Sequence, residues 1–475
     1  MNASSTSTAA PAADDRAEVA QALAGLCGWA HAAARQPLPD EVLAKSAQVF
    51  VDDLAAICAA HGQPEIAALA AAAQAPAPGA AATPNTGSAR LLRPGGPLAD
   101  PHAAAMINGT AGCWCELDEG YRGAPCHAGL YVLPALLAEA EPRGASLAQV
   151  LAMLAVGYEV AARVAEAWTF PAMSVHPHAA YANFGAAAGA ALARGVPAAT
   201  LAAAVRLAGG VVPAGTYQAA VEGALVRNAW TGLAASAGLW AVAWAEAGMD
   251  GYPDGPHPAF ARLLGAATRA QALTDGLGAR WAIAAGYHKL HGCCHSTHAA
   301  AEAALAMSPR LDLARGAQGI RRIDLYTHRP GMSNVAPGNS LAARFSFEHV
   351  VAVALARRDT GPDAFGRAAI DDPTVAALRR RVRLLPYEPL PAWPQDRAAR
   401  LEVELADGSV LAEQCLSAPG GPDQPLSPAQ ILRKAQGLTA RDYPGFAGSA
   451  RAILDLDSAT LARPWRELAG AMLAA

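Results

Sequence analysis

Apolar residues recur with a helical period through most of the first 250 positions of the chain. The pattern predicts helices over roughly 100–114, 128–141, 146–168, 179–193, 197–208 and 230–247. Residues 16–73 predict two or three more, one opened by Pro39-Asp40 and closed by His61-Gly62. The segment APAPGAAATPNTG, 75–87, predicts a loop. Strand-like alternation is missing from this half, so it is expected to be all-α. The pattern changes near residue 286. IRRIDLYTH, 320–328, alternates apolar and polar side chains, and RLEVELADGSVLAEQCL, 400–416, predicts a hairpin turning at Asp407-Gly408. Helices are expected between them, near 341–357 and 373–382. Ser427-Pro428 then opens a helical tail with a cap and a proline in the first turn.

The expected fold class is mainly α. A tail over 1–15 expected to be disordered precedes a large all-α domain over 16–285. A smaller α/β domain follows over 286–426, and a C-terminal helical segment over 427–475 is expected to dock back on the first domain. A chain of 475 residues is too long for one compact core, which agrees with two domains.

Composition narrows the partners. Net charge is −4, from 36 basic and 40 acidic residues spread without a long basic run, so nucleic acid is not an expected partner. The longest uncharged run, 167–193, contains Pro171, His176, Pro177, His178 and Asn183. That set suits core helices better than a membrane span. The start, MNASSTSTAAPAADD, has neither the basic nor the apolar part of a secretory signal. The eight cysteines form no regular framework. They are expected to be reduced thiols in a cytoplasmic protein.

Four stretches carry candidate chemistry. NGTAGCWCELDEGYRGAPCHAG places Glu116, Asp118 and Glu119 shortly before His127, which opens a helix. Acidic groups beside a histidine can exchange protons with a substrate; by spacing alone the stretch reads more readily as a polar loop between core helices. SVHPHAAYANFGAAAGAALA puts His176 ahead of a helix of small residues, which also suits a satisfied histidine at a tight helix contact. EGALVRNAWTGLAASAG carries Arg227, a surface group on most helices and a bidentate carboxylate clamp in a cleft.

The fourth stretch, GYHKLHGCCHSTH at 286–298, holds four histidines, two cysteines and Lys289. His295 and His298 have spacing that fits one helix face. Neither a C-x-x-C pair nor an H-E-x-x-H motif accompanies them, and Lys289 would repel a cation. An anionic substrate needs fewer assumptions than a metal: lysine and histidine complement carboxylates, and histidine also moves protons near neutral pH.

These stretches, together with VLPALLAEAE and NSLAARFSFEHVVAVAL, resemble the MmgE/PrpD family in content and order, from about residue 20 to the C-terminus. That family includes 2-methylcitrate dehydratase, cis-aconitate decarboxylase and iminodisuccinate epimerase. The resemblance implies a homodimer, an α/β lid over a large helical domain, and a site in the cleft between them. It implies no metal and no organic cofactor. Catalytic roles carry over to His127, His176, Lys289, Glu116 and Asp118. Substrate-binding roles carry over to Arg227, His298, His349 and Glu119. The motif departs from the family at His127-Ala128-Gly129, where proline is missing. Arg227 stands where lysine is frequent, His349 at a tyrosine position, and Glu116 where several members have aspartate. The expected function is a cofactor-independent dehydratase of a small di- or tricarboxylic acid. Epimerisation and decarboxylation are the alternatives within the family, and a non-catalytic carboxylate-binding protein is the alternative outside catalysis.

Overall fold

Small residues decide how closely the helices of the first half approach one another. A Cβ added at Gly232, in the helix Val226–Glu246, would lie 2.2 Å from the Met106 carbonyl oxygen of the helix Pro101–Gly112. One added at Gly238 would lie 2.6 Å from Ala186 of the helix Pro177–Arg194. The runs LAASAG and FGAAAGAA therefore bring helices to backbone contact, and side-chain interlocking plays little part.

The computed structural model describes residues 13–75, 88–171, 174–213, 215–313 and 316–474. The fold is mainly α. The helices Asp40–Ala59, Pro101–Gly112, Ala128–Ala140, Leu147–Ala167, Pro177–Arg194 and Val226–Glu246 share one apolar core. Leu147–Ala167 is long and apolar enough to cross a membrane, yet 83% of its most apolar window is covered by neighbouring parts of the protein. It also carries a fully buried Glu159–Arg163 ion pair at 2.7 Å. Those are the features of a central core helix.

The C-terminal helices Pro428–Thr439, Phe446–Leu454 and Trp465–Met472 join this same core through Ile431, Phe446 and Trp465. Trp465 packs edge-on against Phe50, with ring centroids 5.1 Å apart. Ser427 closes a capping box with Gln430, which starts the first of these helices.

A second apolar core lies around a four-stranded sheet. Its strands run in the order Val410–Cys415, Ala399–Leu405, Ile320–Thr327, Val382–Pro386. The first three are antiparallel neighbours, and the last pairs parallel to Ile320–Thr327 with Ile323 beside Val382. The helices His298–Met307 and Phe347–Arg357 supply the apolar faces of this core.

Several local expectations need correction. The first half contains two-residue ladders as well as helices: Gly120–Tyr121 with Gly286–Tyr287, and Trp168–Thr169 with Ala267–Thr268. Such short pairings leave no periodic trace. The helix expected near 341–357 is two, Ser340–Arg344 and Phe347–Arg357, because the Ser346 side chain accepts from His349 N–H and starts a new helix. The helix expected near 373–382 ends at Arg379, and Val382 begins a strand. Of the tail expected over 1–15, residues 1–12 lie outside the described residues and a helix begins at Ala13. Most of the loop expected over 75–87 also lies outside them.

Candidate active site

The ladder that pairs Gly120 with Tyr287 lays the acidic loop beside the GYHK stretch. Only glycine fits at 120, since a Cβ would fall 2.4 Å from the Tyr287 ring. Just before it, Glu116 turns the chain at φ 53°, a left-handed conformation that costs a non-glycine residue about 1 kcal/mol or more. Three helix starts point at the same place. His127 precedes Ala128–Ala140, His176 precedes Pro177–Arg194, and Arg227 lies in the first turn of Val226–Glu246.

At the centre lies an alternating set of buried charges. Lys289 Nζ is 3.1 Å from Glu116 Oε2 and 3.3 Å from Asp118 Oδ1. Arg227 Nη2 is 2.5 Å from the other Glu116 oxygen. Two cations and two carboxylates thus neutralise one another away from water, which makes burial of all four tolerable. Burial works against the charged form of each, but the partners outweigh it. Lys289 is held above its ordinary range by Asp118 and Glu116, and Asp118 well below its own by Lys289 and His127. Lys289 is therefore a fixed cation.

His127 is different. Its Nδ1 lies 2.7 Å from the Glu119 carbonyl oxygen and 2.7 Å from Asp118 Oδ2. Both neighbours are acceptors, so Nδ1 carries the proton and Nε2 keeps a lone pair. The ring lines a cavity of about 60 Å³. A histidine backed by a buried carboxylate, with its second nitrogen uncommitted, is built to exchange protons with a ligand.

His176 faces donors on both sides. Its Nδ1 accepts from His178 N–H at 3.1 Å and its Nε2 from Arg227 Nε–H at 3.1 Å. A neutral imidazole has one lone pair on a ring nitrogen, so one of these contacts is compromised and no basic nitrogen is left over. Burial and then Arg227 push it well below the usual histidine range, and it stays neutral. Its ring stacks on Tyr217 at 5.5 Å, which suits it as a wall of the cavity.

The other expected site residues divide. Glu116, His127, His176, Arg227 and Lys289 all line the cavity. Asp118 sits behind His127. Each guanidinium nitrogen of Arg227 has a protein partner, His176, Asn228 or Glu116, so it orients these groups, with one N–H left on each terminal nitrogen. Glu119 is buried behind the wall, accepting from Gly129 N–H at 2.6 Å and Tyr158 O–H at 3.0 Å. Burial raises its carboxyl to about 8. His298 packs on His291 and donates from Nε2 to the Cys293 carbonyl, outside the cavity lining. His349 is also outside it: its Nε2 meets the Ala364 oxygen at 2.9 Å in the second core.

The histidines of GYHKLHGCCHSTH diverge. His288 goes to Asp52, His291 to Thr360 and Glu302, and His295 to Arg397. Donor atoms close enough to share an ion, within 4.8 Å of one another, come instead from Asp118, His127 and His178. Lys289 and Arg227 already supply the positive charge beside that group.

Residues that the sequence reading missed also line the cavity: Tyr217, Tyr287, His295, Arg329 and Arg397. His295 lay within a stretch already singled out. Arg329 and Arg397 stand in connections with no motif around them.

The buried histidines set a pH dependence. His288 is lowered to about 4 by burial and by Lys45, and His349 to about 4 by burial. Their folded values lie below the unfolded value near 6.5, so their contribution is complete above 6.5 and is lost as pH falls towards 4. Glu119 has the opposite sign: its folded value near 8 exceeds the unfolded one, so stability drains as pH rises from about 4.5 to 8. Thermal unfolding is expected to be most resistant near pH 6.5 and to fall on both sides, steeply on the acid side. A melting temperature that rises steadily from pH 6.5 to 5 would contradict this arrangement.

Family models agree with the geometry. The MmgE/PrpD N-terminal domain matches residues 24–269, and the MmgE/PrpD C-terminal domain matches residues 291–458. The chain belongs to the MmgE/PrpD family. It is 25% identical over 476 aligned positions to a cis-aconitate decarboxylase of Aspergillus terreus, covering 93% of this chain and 94% of that protein. A cis-aconitate decarboxylase-like protein oryM of Aspergillus oryzae is 25% identical, over 72% of this chain and 76% of its own length. The first alignment runs through both halves, so it spans every segment that lines the cavity.

Proposed function

We propose that this protein is a cofactor-independent lyase of small polycarboxylic acids, and that it removes CO₂ from an unsaturated tricarboxylate of the cis-aconitate type. The observation that carries this reading is His127, a single proton-transfer group set in a cavity walled by four basic side chains and one carboxylate. Decarboxylation needs one proton donor. The C–C bond to the departing carboxylate breaks, and its electron pair moves into the remaining unsaturated acid as an enolate-like charge. The imidazolium form of His127 then delivers its Nε2 proton to carbon and is reprotonated from solvent. Asp118 stabilises that imidazolium, and Lys289 offsets the developing negative charge in a site of low dielectric. The names of the full-length relatives support the same reaction class.

Dehydration of a citrate-like acid is the second reading. It needs a second proton donor at the leaving hydroxyl. His295 favours it, because its buried Nε2 has no hydrogen-bond partner among the described residues and its ring lines the cavity. Epimerisation needs two proton-transfer groups on opposite faces, and His176 is poorly suited as the second.

Incubation in deuterated water, followed by NMR, tests these readings against one another. With cis-aconitate the expected product is a decarboxylated acid carrying one deuterium on carbon, with stoichiometric CO₂. Turnover of 2-methylcitrate to an unsaturated acid without CO₂ would replace decarboxylation by dehydration. No change in any di- or tricarboxylate would sink the lyase proposal. A homodimer is part of the proposal. Val226, Leu233 and Trp240 are exposed at seven-residue intervals along one helix, and sedimentation of the same sample should return twice the chain mass.

A further inference from the structure

The central charges balance one another, but a second basic group on the cavity wall does not share in that balance. Arg397 precedes the strand Ala399–Leu405 of the second sheet and lines the same cavity as Lys289. Among the described residues no carboxylate forms an ion pair with it. Its Nη1 lies 2.5 Å from His295 Nδ1. Arg122, nearby, is committed to Asp396 and to the Pro394 carbonyl.

The contact with His295 fixes more than a position. Arginine only donates, so His295 Nδ1 must be the acceptor and the imidazole hydrogen must sit on Nε2. That Nε2 is buried and has no hydrogen-bond partner among the described residues. The ring cannot turn freely to find one, because it stacks on Tyr287 with centroids 4.0 Å apart. A buried donor without an acceptor is costly, as is a guanidinium without an anion. Both costs fall on residues that line one cavity, and a substrate with more than one carboxylate would relieve both.

We infer that Arg397 and His295 form a receptor for substrate carboxylates, separate from the Lys289 centre, which makes the site select polycarboxylic over monocarboxylic acids. The inference rests on reading the cavity as a carboxylic-acid site and adds to it a specificity determinant. A substrate carboxylate would take the Arg397 N–H groups that His295 leaves free, and His295 Nε2–H, which points away from Arg397, would donate to a further oxygen of the same substrate, while the reacting carbon lies towards His127. The pocket thereby measures the spacing between carboxylates. Burial and Arg122 both work to lower the Arg397 guanidinium from its ordinary range, which an anion would reverse.

The test is calorimetric binding to the full-length protein, with tricarballylate and butanoate as unreactive probes. The wild type should prefer tricarballylate. Arg397→Met should weaken tricarballylate by about 10- to 100-fold, the usual worth of a hydrogen bond to a charged group, and leave butanoate within a few-fold. His295→Gln, which retains a donor near Nε2, should stay close to wild type. His295→Phe, which retains the stacking ring, should not. The melting temperature of Arg397→Met should hold or rise, since the substitution removes an unpaired charge. Unchanged tricarballylate affinity in a folded Arg397→Met protein would overturn the receptor, and so would an equal loss for both probes. Neither result depends on turnover. Arg397-dependent binding without reaction on any acid would overturn the lyase proposal and leave the receptor standing.

Discussion

Replacing His127 with asparagine is expected to lower kcat by roughly 10²- to 10⁴-fold while KM changes by no more than a few-fold. Asparagine can place its Nδ2–H close to the position of the imidazole Nδ1–H. The hydrogen bond to the Glu119 carbonyl, 2.7 Å in the native chain, can then survive. What disappears is Nε2, the nitrogen with no hydrogen-bond partner among the described residues. The substitution thus separates chemistry from folding. His176→Asn is the comparison. Its two nitrogens already face His178 N–H and Arg227 Nε–H, so it should cost less in kcat than His127→Asn. Steady-state rates of both variants on whichever acid the wild type turns over decide the matter. A larger loss at His176 would transfer the proton-transfer role to that residue and leave His127 as a scaffold.

How much of this arrangement could be read without coordinates depends on where each residue sits in the chain. The long helices of the first half are legible because their apolar stripes extend over several turns, and Ser427 with Gln430 gives an explicit start signal. Glu116, His127 and Lys289 were legible for another reason: each lies in a chemically dense stretch, and the Gly120–Tyr287 ladder joins two such stretches. The ladder itself was not legible, since two residues cannot show a period.

His349 shows the opposite failure. Its position in the motif suggested a substrate-facing ring. Ser346 restarts the helix there, however, and the ring turns into the second core to meet Ala364 and Arg379. Arg227 lines the cavity as well, but its partners Glu116 and His176 are 111 and 51 residues away and could not be read from its own stretch. Arg397 carried no signal at all. An arginine in a loop is ordinary in sequence, and only the cavity and the stacked His295 give it meaning.

Lys289→Met should destabilise the fold more than any other single change at the site. The side chain is fully buried, and its ammonium lies within 3.3 Å of two buried carboxylates. Methionine fills nearly the same volume, so the loss is electrostatic. Glu116 keeps Arg227, but among the described residues Asp118 keeps only His127 as an ion-pair partner. Removing one partner from a buried charge pair costs about 3–5 kcal/mol. The sign of the pH dependence follows. In the native chain Glu116 and Asp118 are held below their ordinary values, so their contribution is present at neutral pH and disappears as pH falls through those depressed values. Without Lys289 that contribution is largely missing already. The gap between wild type and variant should be widest near pH 7 and narrow below about pH 4, where the carboxyl groups of the variant take up protons. Urea unfolding at the two pH values measures this directly. An equal gap at both would mean that Lys289 matters through packing alone. Turnover in Lys289→Met, where the protein remains folded, should fall by about 10²- to 10³-fold, the usual cost of removing a fixed group that stabilises developing negative charge. Asp118→Asn in the Lys289→Met background should recover part of the stability and none of the rate, because it relieves the carboxylate that Lys289 leaves unpaired without restoring the cation.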